Sequence, residues 1–177
     1  MHDSGIVRRV DELGRLVIPK ELRKTLRIKS GDAIQIDKEG ESIVLKKYSP
    51  IDSAMSVVQS LADGIFQSTN KTCIITDTDK IIYSTNKELY EEGCILNNFC
   101  QRIMQDRKFV NFSSSHMQIP AIYVGEQVNG INSRSVVPYV KEGDCYGLII
   151  LSGENYENTD DEKKILAFGA LVLSKII

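Results

Sequence analysis

The chain changes character at Tyr48-Ser-Pro-Ile51. Pro50 disfavours helix at Ser49, and the balance of charge reverses there. Residues 1–47 hold 11 Lys/Arg against 8 Asp/Glu, a balance of +3, whereas residues 48–177 hold 11 against 16, a balance of −5. The leading segment, residues 1–50, is therefore expected to be a domain of its own, followed by a second at 51–177. A unit this short cannot bury a convincing core alone. It has no cysteine and only His2 as an imidazole, so neither a disulfide nor a metal can staple it. What remains is association, with two copies sharing one core.

The leading segment reads as β-β-short α-β-β. Gly5-Ile-Val-Arg-Arg-Val10 and Arg15-Leu-Val-Ile18 are β-type runs around the turn Asp11-Glu-Leu-Gly14. Pro19 opens a short helix to about Leu26, as suits the first helical position. Leu22 and Leu26 share one face, and Arg23, Lys24 and Arg27 fall mostly on others. Ser30-Gly-Asp32 is a turn. Ala33–Asp37 and Ile43–Lys47 alternate as a hairpin around the polar loop Lys38–Ser42.

Residues 51–177 read as one α+β domain, an antiparallel sheet with a helix at each end. Asp52 or Ser53 can cap a first helix, whose apolar positions recur at helical spacing from Ala54 to Phe66. Strands are expected at Thr72–Thr76, Lys80–Ser84, Lys108–Phe112, Ser133–Val140 and Cys145–Leu151, with a helix at about Asn97–Asp106. Asn158-Thr-Asp160 caps a final helix to Ile177. Both terminal helices are apolar over wide arcs, and the surplus suits packing against helices of another copy.

Arg8, Arg9, Arg15, Lys20, Arg23, Lys24, Arg27 and Lys29 carry the chemistry. Within Arg8–Lys29 there are 8 basic residues against 3 acidic. Pairing two copies places sixteen such cations near one surface, and affinity for duplex DNA is dominated by phosphate contacts of this kind. Arginine adds bidentate recognition of a guanine edge or a phosphate. A solvated charged face has the same composition, so the count alone does not decide.

The order of these residues decides more. Gly5-Ile-Val-Arg-Arg-Val-Asp-Glu-Leu-Gly-Arg-Leu-Val-Ile-Pro-Lys-Glu-Leu-Arg-Lys-Thr-Leu26, with Gly31-Asp32 and Ile43-Val-Leu-Lys-Lys-Tyr48, resembles the AbrB-type transition-state regulators of spore-forming bacteria. The resemblance implies a swapped-hairpin β-barrel dimer that binds double-stranded DNA at promoters. It implies DNA contacts by Arg8, Arg15, Arg23 and Lys24, with Arg9 accessory. Lys24 stands where relatives of this type carry arginine, and lysine is not an equal substitute in a bidentate contact. Some sporulation regulators of this type carry a C-terminal GAF-type domain, and residues 51–177 resemble that architecture. This implies a forespore-stage regulator that activates some genes and represses others. It also implies a homotetramer built through the GAF-type helices, and a possible small-molecule ligand.

Other functions find less support. No apolar run approaches the ~20 residues of a membrane span, and Met1–Val10 has no apolar stretch of a signal peptide, so a cytoplasmic, nucleoid-associated protein with no membrane partner is expected. The scattered Cys73, Cys94, Cys100 and Cys145 suit free thiols, not zinc or disulfides, and no cofactor is expected. Ser113–Ser115 beside His116 lack an orienting acid, so no catalytic role is expected. Tyr83, Phe109, Phe112, Tyr123 and Tyr139 either line a ligand cleft or serve as ordinary core and rim aromatics. The alternative to a transcription factor is an antitoxin sharing the swapped-hairpin fold. Its toxin-binding tail would be short and poorly structured, which residues 51–177 are not.

Overall fold

A computed structural model describes residues 5–28, 30–155 and 159–177. Lys29 and Asn158 lie outside the described residues. The chain divides into two compact units, Met1–Tyr48 and Ser49–Ile177.

The first unit contains helix α1 (Lys20–Thr25) and an antiparallel hairpin of β1 (Ile34–Glu39) and β2 (Ser42–Lys47). The pairing of Glu39 with Ser42 leaves a two-residue loop, tighter than the five residues expected, because the polar flanks join the ladder. Pro19 lies one position before the helix as its N-cap. The strands expected at Gly5–Val10 and Arg15–Ile18 do not form in the single chain. Only the reversal between them is made, with the Asp11 amide donating to the Arg15 carbonyl at 3.0 Å. A strand needs a ladder partner, and these arms have none within one copy.

The exposure of apolar side chains in this unit makes the same point. Ile6, Val7, Val10, Leu13, Leu16, Val17, Leu22, Leu26, Ile36 and Ile43 are all exposed, Val7 by 86%. Among the described residues of the unit only Pro19 is buried. In the hairpin, Ile34, Ile36, Ile43 and Leu45 fall on one face, since directly paired residues share a side.

The second unit has the opposite character. A 3-10 turn (Pro50–Ala54) leads into α2 (Met55–Thr69), followed by β3 (Thr72–Thr76), β4 (Ile81–Ser84), α3 (Asn98–Asp106), β5 (Val110–Ser113), β6 (Ser133–Lys141), β7 (Asp144–Gly153) and α4 (Asp160–Ile176). The expected cap at Ser53 is not made: its hydroxyl donates to the Pro50 carbonyl within the 3-10 turn at 2.8 Å. The strands form one antiparallel sheet in the order β4-β3-β7-β6-β5.

Both faces of this sheet are covered. On one face α2 and α4 lie side by side and enclose a core that includes Val58, Ala62, Ile65, Ile75, Ile149, Leu151, Leu166 and Leu173. On the other, α3 and the loops around it enclose Ile74, Ile81, Leu96, Ile103, Ile122, Val136, Leu148 and Ile150. This explains the continuous apolar runs of β3 and β7, which sit at the middle of the sheet. The two terminal helices thus share a face and do not sit at opposite ends.

The start of α4 is held by two devices. Thr159 and Glu162 form a capping box. The buried Glu162 carboxylate also accepts the Lys71 ammonium at 2.9 Å, tying α4 to the corner between α2 and β3. Outward, α4 presents Phe168 and Leu171, which lie on the surface three residues apart. Among the described residues no helix is long and apolar enough to cross a membrane.

Candidate nucleic-acid interface

The basic residues of the first unit are placed by two local structures. One is the turn at residues 11–15. The Asp11 carboxylate accepts the backbone amides of Leu13 at 3.0 Å and Arg15 at 2.7 Å, and the Arg15 Nε at 2.7 Å. Gly14 closes the reversal with φ of 75°, where a side chain would be strained. The hydrogen bond from the Arg15 amide, followed by that from its side chain, holds the Asp11 carboxyl below its usual range. Arg15 is therefore aimed by its own turn, with its guanidinium largely exposed. An exposed ion pair of this kind is weak, so a phosphate competes with Asp11 at little cost.

The other structure is α1. Arg23 and Lys24 occupy its last turn, where positive charge is favoured by the helix dipole. The chain leaves the helix through a left-handed residue: Ile28 N–H donates to the Arg23 carbonyl at 2.8 Å and Arg27 N–H to that of Lys24 at 3.3 Å. The left-handed residue is Arg27, with φ of 54°, where glycine is usual. Helical spacing gives no hint of this.

Arg8 and Arg9 lie on the extended arm before the turn. Arg8, Arg9, Arg23 and Lys24 are exposed and form no ion pair among the described residues. All five candidate residues thus belong to the unit that lacks a core, and their charges are available to a polyanion.

The second unit contains a polar centre that sequence reasoning missed. Arg134 on β6 is fully buried on the α3 side of the sheet. Its Nε donates to Ser152 Oγ at 3.0 Å and one terminal nitrogen to the Tyr90 hydroxyl at 2.9 Å. The same two terminal nitrogens grip the Glu126 carboxylate at 2.6 and 3.2 Å, and one also donates to the Pro120 carbonyl. The signal was an arginine inside a strand otherwise buried on both sides, Ser133-Arg-Ser-Val-Val137. The partner Glu126, in irregular chain, carried none.

The other candidates are not brought together. Tyr139, Tyr83 and Phe109 belong to the core under α2 and α4, with the Tyr139 hydroxyl donating to the Thr76 carbonyl at 2.6 Å. Tyr123 packs on the opposite side of the sheet, and Phe112 stacks edge-on against Phe99. They form no common cleft. Ser113 Oγ pairs with Ser115 Oγ at 2.7 Å, and Ser114 Oγ donates to Asn132. Cys73 and Cys100 are buried free thiols, and burial pushes the Cys100 thiol up to about 12.

Comparison with known proteins places both units. Residues 55–177 match the family described as stage V sporulation protein T C-terminal, transcription factor, and residues 7–53 match the antidote-toxin recognition MazE family of bacterial antitoxins. Stage V sporulation protein T of Bacillus subtilis is 35% identical over 184 residues, covering 99% of this chain and 98% of that protein. The transition state regulatory protein AbrB of Bacillus subtilis is 60% identical over 50 residues, 28% of this chain and 52% of that one. Among solved structures, the GAF domain of an Acinetobacter phosphoenolpyruvate-protein phosphotransferase is similar with a TM-score of 0.55 at 16% identity, over 71% of this chain and 90% of that one. A type II free methionine-R-sulfoxide reductase from Thermoplasma acidophilum reaches 0.58 at 14% identity, over 72% and 94%. These likenesses show the GAF fold of the second unit.

Proposed function

The chain belongs to the stage V sporulation protein T family of transcription factors, and from that premise we propose how its two units divide the work of regulating sporulation genes. The first unit binds promoter DNA as a dimer of interleaved hairpins, contacting it through Arg8, Arg15, Arg23 and Lys24 with Arg9 accessory. The second unit joins two such dimers into a tetramer through its terminal helices and responds to a small molecule. The protein acts in the cytoplasm on the nucleoid, in the forespore, activating some promoters and repressing others. It has no catalytic activity of its own.

The observation that carries this reading is the contrast within the first unit. Most of its apolar side chains are exposed, and so are its candidate arginines. A second copy covers the former and doubles the latter. The arms Gly5–Val10 and Arg15–Ile18, which lack a ladder in one chain, find one in the other. The match to an antitoxin family supports the swapped-hairpin fold shared by both classes. An antitoxin role is disfavoured because the following unit has two well-filled cores.

The test is binding of the full chain to promoter duplexes by wild type, Arg15→Ala and Arg23→Ala. Weakened binding with unchanged circular dichroism is expected for both variants. Unaltered affinity in both removes the assignment.

A further inference from the structure

The Arg134 centre has the make-up of a binding site, closed by a residue of the chain itself. A buried ion pair is by itself weak evidence for a stabilising role, since apolar groups of like volume often serve as well. Here the partners come from different kinds of structure. Arg134 is fixed by Ser152 on β7 and by Tyr90, whose ring packs edge to face with that of Tyr123. The chain at 120–122 is fixed too: the Ala121 carbonyl accepts Asn97 Nδ2 at 2.7 Å and the Ile122 carbonyl accepts Asn97 N–H at 3.0 Å, at the cap of α3. Glu126 alone comes from an exposed flap. Gly125 and Gly130, with φ of 91° and 74°, bound that flap, and Gln127 and Asn129 between them face solvent.

The Glu126 carboxylate is held by three donors aimed at one point. They are the two terminal nitrogens of Arg134 and the Ile122 amide, which donates to Oε2 at 2.5 Å. Every one of them belongs to the fixed part. If the flap swings out, Arg134 keeps Ser152, Tyr90 and the Pro120 carbonyl and loses only the carboxylate. What is left is a two-pronged guanidinium with a backbone N–H beside it, the arrangement that recognises a carboxylate bidentately.

We propose that Arg134 and the Ile122 amide form a receptor for a small carboxylate, and that Glu126 occupies it as a tethered stand-in which the free ligand displaces. The ligand's carboxylate takes the place of Glu126, its remainder lies towards the Tyr90 ring, and the 125–130 flap is released. This rests on the reading of the second unit as ligand-responsive, and it names the chemical class of ligand. Because the competitor is attached to the receptor, its effective concentration is in the millimolar range or above, and the intact protein answers only to a carboxylate that outcompetes it.

The experiment uses full-length wild type and Glu126→Ala, with acetate and propionate as probes and with chloride and propionamide as controls at equal concentration. Thermal unfolding is the readout. Both carboxylates should raise the melting temperature of Glu126→Ala saturably while the controls do not, and half-saturation should require at least about tenfold more carboxylate in wild type, where Glu126 competes. Glu126→Gln, which keeps the side-chain volume, is read in the same way if the alanine variant fails to fold. Carboxylates that stabilise the variant no better than chloride, or equally in variant and wild type, overturn the receptor. A neutral ligand that stabilises wild type and Glu126→Ala alike also overturns it while leaving ligand sensing intact. Carboxylate binding that leaves DNA affinity unchanged supports the receptor and removes the sensing role.

Discussion

Assembly through α4 is the part of the account most open to a single substitution. Phe168 is 63% exposed on α4, with Leu171 beside it. A phenylalanine buries 150–250 Å² when fully covered, so an interface over Phe168 removes about 125 Å² from water. At about 25 cal/mol per Å² this is about 3 kcal/mol per copy. A two-fold interface covers two copies, hence about 6 kcal/mol, or about four orders of magnitude in the dissociation constant of dimers from tetramers. Phe168→Glu forfeits that burial and sets two carboxylates against each other. The side chain faces outward, so the fold of the subunit and its helical circular dichroism should not change. In sedimentation velocity at micromolar concentration the wild type should run as a tetramer. The variant should run as a dimer, held by the first unit alone. A Phe168→Glu protein that sediments like wild type refutes this use of the α4 face.

Other substitutions probe the remaining claims. Asp11→Asn keeps the oxygen that accepts Leu13 and Arg15 amides but removes the charge that holds the Arg15 side chain; DNA affinity measured by fluorescence anisotropy should rise several-fold, and a fall would mean the pair is needed intact. Lys71→Met strands the buried Glu162 carboxylate and should cost about 3–5 kcal/mol in urea unfolding, with Lys71→Met/Glu162→Gln recovering part of the loss; equal losses would show that the ion pair is not the cause. Burial raises the Asp77 carboxyl above its ordinary value of 3.8, against the amides of Asp79 and Lys80 that oppose the shift. The native state thus holds this proton more tightly than the unfolded chain, and its contribution to stability is lost as pH rises from 3.8 through the raised value. Asp77→Asn should flatten the stability profile in that window, and an unchanged profile would contradict the assignment.

Much of the second unit was legible because its periodicities are strong. The recurrence from Ala54 to Phe66 marks α2, Asn97 marks the start of α3, and the runs at 133–140 and 145–151 mark the two longest strands. The packing of α2 with α4 was not legible, since an apolar arc does not say which face of a sheet it covers. In the first unit residues 5–10 and 15–18 carry a β-type pattern, yet one copy makes no ladder from it. The information in Val7, Val10 and Val17 concerns a surface the single chain does not supply. The basic residues Arg8, Arg9, Arg15, Arg23 and Lys24 stand out through their order, and the structure leaves them exposed on the first unit. Arg134 does not stand out, because its partner Glu126 is eight residues away in irregular chain, where no period links them.

The most direct test is the salt dependence of promoter binding by the full chain. If paired first units place 6–8 cations on phosphates, log K should fall against log salt with a slope of roughly −5 to −7, at about −0.9 per contact. Arg23→Ala, which removes two contacts per dimer, should make the slope shallower by about 1.8. A wild-type slope near zero, or one that Arg23→Ala leaves unchanged, would contradict DNA recognition by a doubled arginine surface.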